Sequence, residues 1–122
     1  MSSSTPLSEI MRTMELYFEA AYTGNTTQLR SIFDSAAHII GYDHGTFTRQ
    51  TLDEWMLEIQ GLPKPSEQGE PFDMKVVTAD ASDTVAFVKT SELYMGLRFN
   101  DSMTLVKFED GWKITHKAFR HD

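Results

Sequence analysis

The stretch from Leu97 to Phe119, LRFNDSMTLVKFEDGWKITHKAF, constrains the chain most, because two runs of alternating apolar and polar residues flank one Asp110-Gly111 dipeptide. Asp-Gly tolerates the positive φ angles of a tight hairpin turn, so the spacing predicts an antiparallel ribbon folded at that point. With Asp110 and Gly111 as the loop, Glu109 pairs with Trp112, Lys107 with Ile114, Leu105 with His116, Met103 with Ala118 and Asp101 with Arg120. One face then carries Met103, Leu105, Trp112, Ile114, His116 and Ala118, and is the expected core face. The other carries Ser102, Thr104, Val106, Phe108, Lys113, Thr115, Lys117 and Phe119.

The preceding chain reads as a cover for this ribbon. Thr5 can cap a helix whose first turn holds Pro6 and Glu9. Leu7, Ile10, Met11, Met14, Tyr17, Phe18 and Ala21 recur at three- and four-residue steps until Gly24 ends the helix. A shorter helix from Asn25 or Thr26 presents Leu29, Ile32 and Phe33. From Ala37 to Thr48 the pattern becomes a small hairpin about Asp43-His44-Gly45. Thr51 and Glu54 form a capping-box signature for a third helix, striped by Leu52, Trp55, Met56 and Ile59 and stopped by Gly61 and Pro63. Residues 62–71 hold three of the four prolines and are expected to be a mobile loop. Strands follow from Phe72 to Ala81 and from Thr84 to Met95, with a turn at Gly96 and Leu97.

Three helices, a hairpin and a four-stranded meander define an α+β fold with the helices on one face of a curved, mostly antiparallel sheet. At 122 residues the chain is expected to be one domain spanning 1–122, with 1–5 frayed. That length buries roughly two thirds of the unfolded surface without staples. No cysteine is present, which removes disulfides, thiolate catalysis and cysteine-ligated zinc. A net charge of −7 argues against nucleic acid and anionic membranes as partners. The opening MSSSTPLSEI has neither a basic leader nor an apolar core, so a cytoplasmic protein is expected.

Two stretches, MELYFEAAYTGNTTQLRSIFDSAAHIIG (Met14 to Gly41) and FNDSMTLVKFEDGWKITHKAF (Phe99 to Phe119), with TLDEW between them, resemble the nuclear transport factor 2-like superfamily, and within it the putative lumazine-binding family. The resemblance implies a cone-shaped α+β barrel, often a homodimer, and a pterin-like or flavin-precursor ligand. Other branches of the superfamily, among them ketosteroid isomerase, scytalone dehydratase, limonene-epoxide hydrolase and polyketide cyclases, act in the same hollow.

Candidate chemistry concentrates on that inner face. His116, between Ile114 and Ala118, reads either as a general base or as a packed histidine with one hydrogen bond. Asp101 lies on the same face about 13 Å along the strand from His116, too far for a hydrogen bond, and opposite Arg120 as a cross-strand ion pair. With Gly96 and Leu97 as turn, Glu92 also pairs with Asp101 and Tyr94 with Phe99, so two carboxylates share a site. The expected pocket comprises Tyr17, His38, Tyr42, Trp55, Tyr94, Asp101 and His116, with no cofactor. His38, His44, His116 and His121 have no recognised metal-ligand spacing, so no metal site is expected. Phosphate-binding glycine loops and a serine nucleophile elbow are absent. On the outer face, Val106, Phe108 and Phe119 with Val85, Phe87 and Leu93 suggest an apolar patch and a homodimer through the sheet. The leading reading is a small-molecule-binding protein. An isomerase-, dehydratase- or cyclase-like enzyme using His116 or the Glu92 and Asp101 pair is the alternative, and a dimeric association module is a third.

Overall fold

The computed structural model describes residues 4–121. Residues 1–3, part of the segment expected to fray, lie outside the described residues, whereas Thr5 is an ordered cap. Its hydroxyl accepts the Ser8 N–H at 3.1 Å while Ser8 Oγ accepts the Thr5 N–H at 3.0 Å, opening α1 (Pro6–Thr23). Asn25 caps α2 (Thr26–Ile32) through the Gln28 N–H, and the Thr51 and Glu54 capping box opens α3 (Leu52–Gly61) as its spacing predicts.

The strands are β1 (Phe33–Asp43), β2 (Thr46–Thr51), β3 (Met74–Ala81), β4 (Val85–Tyr94), β5 (Leu97–Phe108) and β6 (Gly111–His121). They form one curved, open sheet in the order β2-β1-β6-β5-β4-β3. After the first hairpin and α3, the chain crosses to the far edge and meanders back, so β6 arrives beside β1 and runs parallel to it. Every other pair is antiparallel. The core lies between the helices and the inner sheet face, where Ile10, Met14, Leu29 and Met56 meet Ile39, Leu105 and Ile114. At one end Trp112 Nε1 donates to Glu9 Oε1 at 2.9 Å, tying the start of α1 to β6.

The ribbon differs from its expected register. The loop is Glu109 and Asp110, and Gly111, at φ 115°, is already the first paired residue, opposite Phe108. Lys107 therefore faces Trp112 and Leu105 faces Ile114, a shift of two that leaves every side chain on its expected face. Between Thr104 and Leu105 the register slips by one, because Thr115 is an extra residue in β6. This bulge reverses the alternation. Lys117 and Phe119 turn inward, His116 and Ala118 turn outward, and Asp101 faces Phe119 rather than Arg120. Similarly, the turn between β4 and β5 is Met95 and Gly96, both at positive φ, so Glu92 faces Phe99 and Tyr94 faces Leu97.

Residues 62–71 are not a bare loop. They contain a 3-10 turn, Pro65–Gln68, with Pro65 buried. Glu70 then accepts the Met95 N–H at 2.9 Å and the Gly96 N–H at 2.7 Å, and its own carbonyl accepts the Tyr22 hydroxyl at 2.5 Å.

Gly41 lies on β1 directly beside Phe119 of β6. A Cβ there would collide with the Phe119 carbonyl oxygen and stand 2.7 Å from the Phe119 ring. Gly41→Ala is expected to destabilise the protein by about 1–3 kcal/mol through overpacking. Urea unfolding checks this, and an unchanged midpoint would contradict the close approach.

Candidate ligand cavity

Where the helices no longer cover the sheet, the inner face lines a cavity of about 530 Å³. Its walls are aromatic: Tyr17 from α1, Trp55 from α3, Tyr94 from β4, Phe99 from β5 and Phe119 from β6. Exposed Asp43, Glu58 and Leu62 mark its rim, with Thr48 and Gln50 of β2 beside them. The strand alternation that buries Val88, Met103 and Leu105 farther along delivers Glu92 and Asp101 here, and the bulge delivers Lys117.

These three ionisable groups are 5%, 2% and 7% exposed, which is unusual for charged residues without a functional or structural reason. Lys117 Nζ stands 3.5 Å from Asp101 Oδ2 and 4.2 Å above the Trp55 ring, with the Tyr17 ring 5.5 Å away. The ammonium is thus held by a carboxylate and two aromatic faces. The Thr90 hydroxyl donates to Glu92 Oε1. Burial, the Asp101 charge and the proton that Glu92 can share with Asp101 push the Glu92 carboxyl up to about 9, against the pull of Lys117 and Thr90. At neutral pH Glu92 is therefore a neutral carboxylic acid. Burial first, then the Glu92 and Asp101 charges, raise the Tyr17 phenol well above its ordinary value. Burial, with Glu58 and Glu70 nearby, pushes Tyr94 up to about 12.

Asp101 has an ion-pair partner but lacks aligned hydrogen bonds. Among the described residues no donor makes a well-aligned hydrogen bond to either of its oxygens, although the Tyr17 hydroxyl and the Glu92 carboxyl are near enough to interact with it. Thr48 Oγ1 on the cavity wall is likewise buried without a partner.

Of the residues singled out from the sequence, Tyr17, Trp55, Tyr94, Asp101 and Glu92 line this cavity. Glu92 and Asp101 are diagonal neighbours rather than directly opposed, still on one face because the register moved by two. His38, Tyr42 and His116 do not line it. His38 and Tyr42 occupy the outward-facing positions of β1, with Tyr42 58% exposed, and the Thr115 bulge puts His116 on the outer surface near Phe87 and Ser102. Phe119, assigned from its spacing to the outer patch, belongs to the cavity wall for the same reason. Lys117 was missed as a site residue. The available signal was that Ile114 and Phe119 are five residues apart, a spacing that puts them on opposite faces of any unbroken strand.

The fold is that of the nuclear transport factor 2-like proteins. A nuclear transport factor 2-like protein of unknown function from Silicibacter pomeroyi DSS-3 superposes with a TM-score of 0.82 at 20% identity, covering 100% of both chains. One from Shewanella baltica OS155 gives 0.82 at 24% identity over 98% of each chain. A third, from Methylobacillus flagellatus KT, gives 0.80 at 19%, covering 99% of this chain and 95% of that one. At these identities the likeness establishes the fold alone. Residues 5–120 match the family described as putative lumazine-binding, and the chain belongs to that family. No curated protein matches the sequence significantly. Among the described residues no helix is long and apolar enough to cross a membrane.

The Glu92 shift has a signed consequence. Below its ordinary value of 4.5 the group is protonated in both folded and unfolded chains. Between 4.5 and about 9 only the folded chain holds the proton, so stability is lost as pH rises through that window and levels off above it. The slope is at most about 1.4 kcal/mol per pH unit. Glu92→Gln, which has no charge to bury, should flatten this decline and raise the urea midpoint at pH 8. Parallel pH profiles for the variant and the wild type would contradict the assignment.

Proposed function

We propose that the chain binds a flat, largely aromatic small molecule that carries hydrogen-bond donors, of the pterin or lumazine kind, in the cavity between helices and sheet. The observation that carries this reading is Asp101, a carboxylate 2% exposed that has Lys117 as its ion-pair partner but whose two oxygens accept no well-aligned hydrogen bond among the described residues. Buried lone pairs of this sort are normally satisfied, and adjacent N–H donors of a heterocycle would satisfy both. Glu92, holding its proton, could donate to a ligand carbonyl, while Trp55, Phe99 and Phe119 offer apolar faces for a ring. The family description supports the same ligand class.

A second reading, an isomerase-, dehydratase- or cyclase-like enzyme, is favoured by one specific observation. Glu92 keeps its proton beside the Asp101 carboxylate, which has the Lys117 ammonium as partner. Two carboxyl groups in such different surroundings can act as general acid and general base. His116 takes no part in this reading.

Thermal unfolding and tryptophan fluorescence against lumazine, pterin, flavins, steroids and small aromatic acids test both. A saturable shift with lumazine or pterin is expected, weakened about 10–100-fold by Asp101→Asn as a charged hydrogen bond is lost. Turnover of a bound compound that disappears in Glu92→Gln while binding persists would favour the enzyme. Response to steroids alone would overturn the ligand class, and no response at all would overturn the cavity's role.

The outer sheet face supports association with a second copy of the chain. Phe87 and Phe108 are 59% and 42% exposed there, with Val85 and Val106 paired between them. Light scattering should give a dimer mass at micromolar concentration and a monomer for Phe87→Glu. A monomeric wild type would contradict this association.

A further inference from the structure

Beside the cavity rim, the β1–β2 turn and the end of β6 bring together two adjacent side chains and a third that is far away in sequence. Asp43 ends β1, His44 follows it in the turn at φ 49°, and His121 is the last residue of β6. The parallel pairing that sets Tyr42 beside Arg120 carries Asp43 and His121 side by side. His121 Nε2 lies 2.7 Å and His44 Nε2 3.7 Å from the same oxygen, Asp43 Oδ1. One ligand atom from each residue lies within 4.8 Å of the other two.

We propose that Asp43, His44 and His121 form a binding site for a divalent transition-metal ion of the zinc type. Ligands held at about 2.0–2.1 Å in a tetrahedral site are separated by about 3.3 Å, and the two measured separations bracket that distance. Two imidazoles and one carboxylate suit zinc, iron(II), nickel or copper better than magnesium or calcium, which prefer oxygen ligands. The site is partly organised in advance. The His121 side chain is 2% exposed and packed at 5.0 Å from the Phe99 ring, while Asp43 and His44 are 56% and 75% exposed and free to adjust.

Three protein ligands leave a coordination position open. Asp43 also lines the cavity, so a bound ion would stand at its rim and could take a lone pair from a molecule lying there. This site is separate from the Asp101 cluster, and its existence does not depend on the ligand proposed above. Without a metal, the same contacts amount to an Asp-His pair pinning the first hairpin to β6.

The experiment is titration of untagged, chelator-treated protein with Zn²⁺ by calorimetry and with Co²⁺ by visible absorption. One ion per chain is expected, with the intense visible bands of four- or five-coordinate Co²⁺. His44→Ala and Asp43→Asn should each weaken binding at least about 10-fold, as loss of a metal-orienting group typically does. His38→Ala, on the outward-facing side of β1, should leave it unchanged. His44 is 75% exposed and its ring contact is the edge-to-face one with His121 at 4.8 Å, so its variant separates metal loss from misfolding, which the buried His121 would not. Absence of stoichiometric binding, or binding that His44→Ala leaves intact, overturns the site.

Discussion

A single extra residue in β6 determines what the inner face of this protein can do. Up to Ile114 the strand supplies core, with Trp112 and Ile114 under the helices. Thr115 then reverses the alternation, so the continuation of that face is Lys117 and Phe119 instead of His116 and Ala118. Without the bulge the face would have been His116 and Ala118, small and weakly charged. With it, an ammonium is delivered into a space already occupied by two carboxyl groups from β4 and β5. The pairing of β1 with β6 completes the arrangement, because Gly41 leaves the room that the Phe119 ring needs.

Burying Glu92, Asp101 and Lys117 together has an electrostatic cost that a hydrophobic set of similar volume would not have. The chain limits that cost in different ways for each group. Glu92 stays protonated and receives the Thr90 hydroxyl, whereas Lys117 rests on Trp55 and beside Asp101. Asp101 is left with electrostatic neighbours but, among the described residues, no aligned donor. The rest of the core is aliphatic and aromatic, so the ionisable groups of the inner face are concentrated at the cavity.

Much of the fold was legible because it is written in short-range chemistry. Thr5, Asn25 and the Thr51 and Glu54 box locate helix starts, and the His44-Gly45 turn follows from residues that accept positive φ, whereas the turn expected at Gly96 and Leu97 lies one residue earlier, with Met95 at φ 53°. Register errors of two residues did no harm to the assignment of faces, which is why Glu92 and Asp101 were found together although their pairing was wrong. An error of one residue was harmful, and the five-residue spacing of Ile114 and Phe119 is the one local trace of the bulge. His38 and Tyr42 were misplaced because the face of β1 depends on how β6 docks beside it, a contact between segments about eighty residues apart. The meeting of His44 and His121 depends on the same docking and has no counterpart in histidine spacing.

The Glu70 carboxylate grips both amides of the turn between β4 and β5, while the Tyr22 hydroxyl holds the Glu70 carbonyl from α1. That arrangement makes the cavity asymmetric in stiffness. Freeing Met95 and Gly96 would break two charge-assisted bonds at once, whereas β2 is an edge strand whose one strand partner is β1, with α3 packed beside it. The cavity rim is therefore stiffest on the Glu70 side and softest along the β2 edge that carries Thr48 and Gln50.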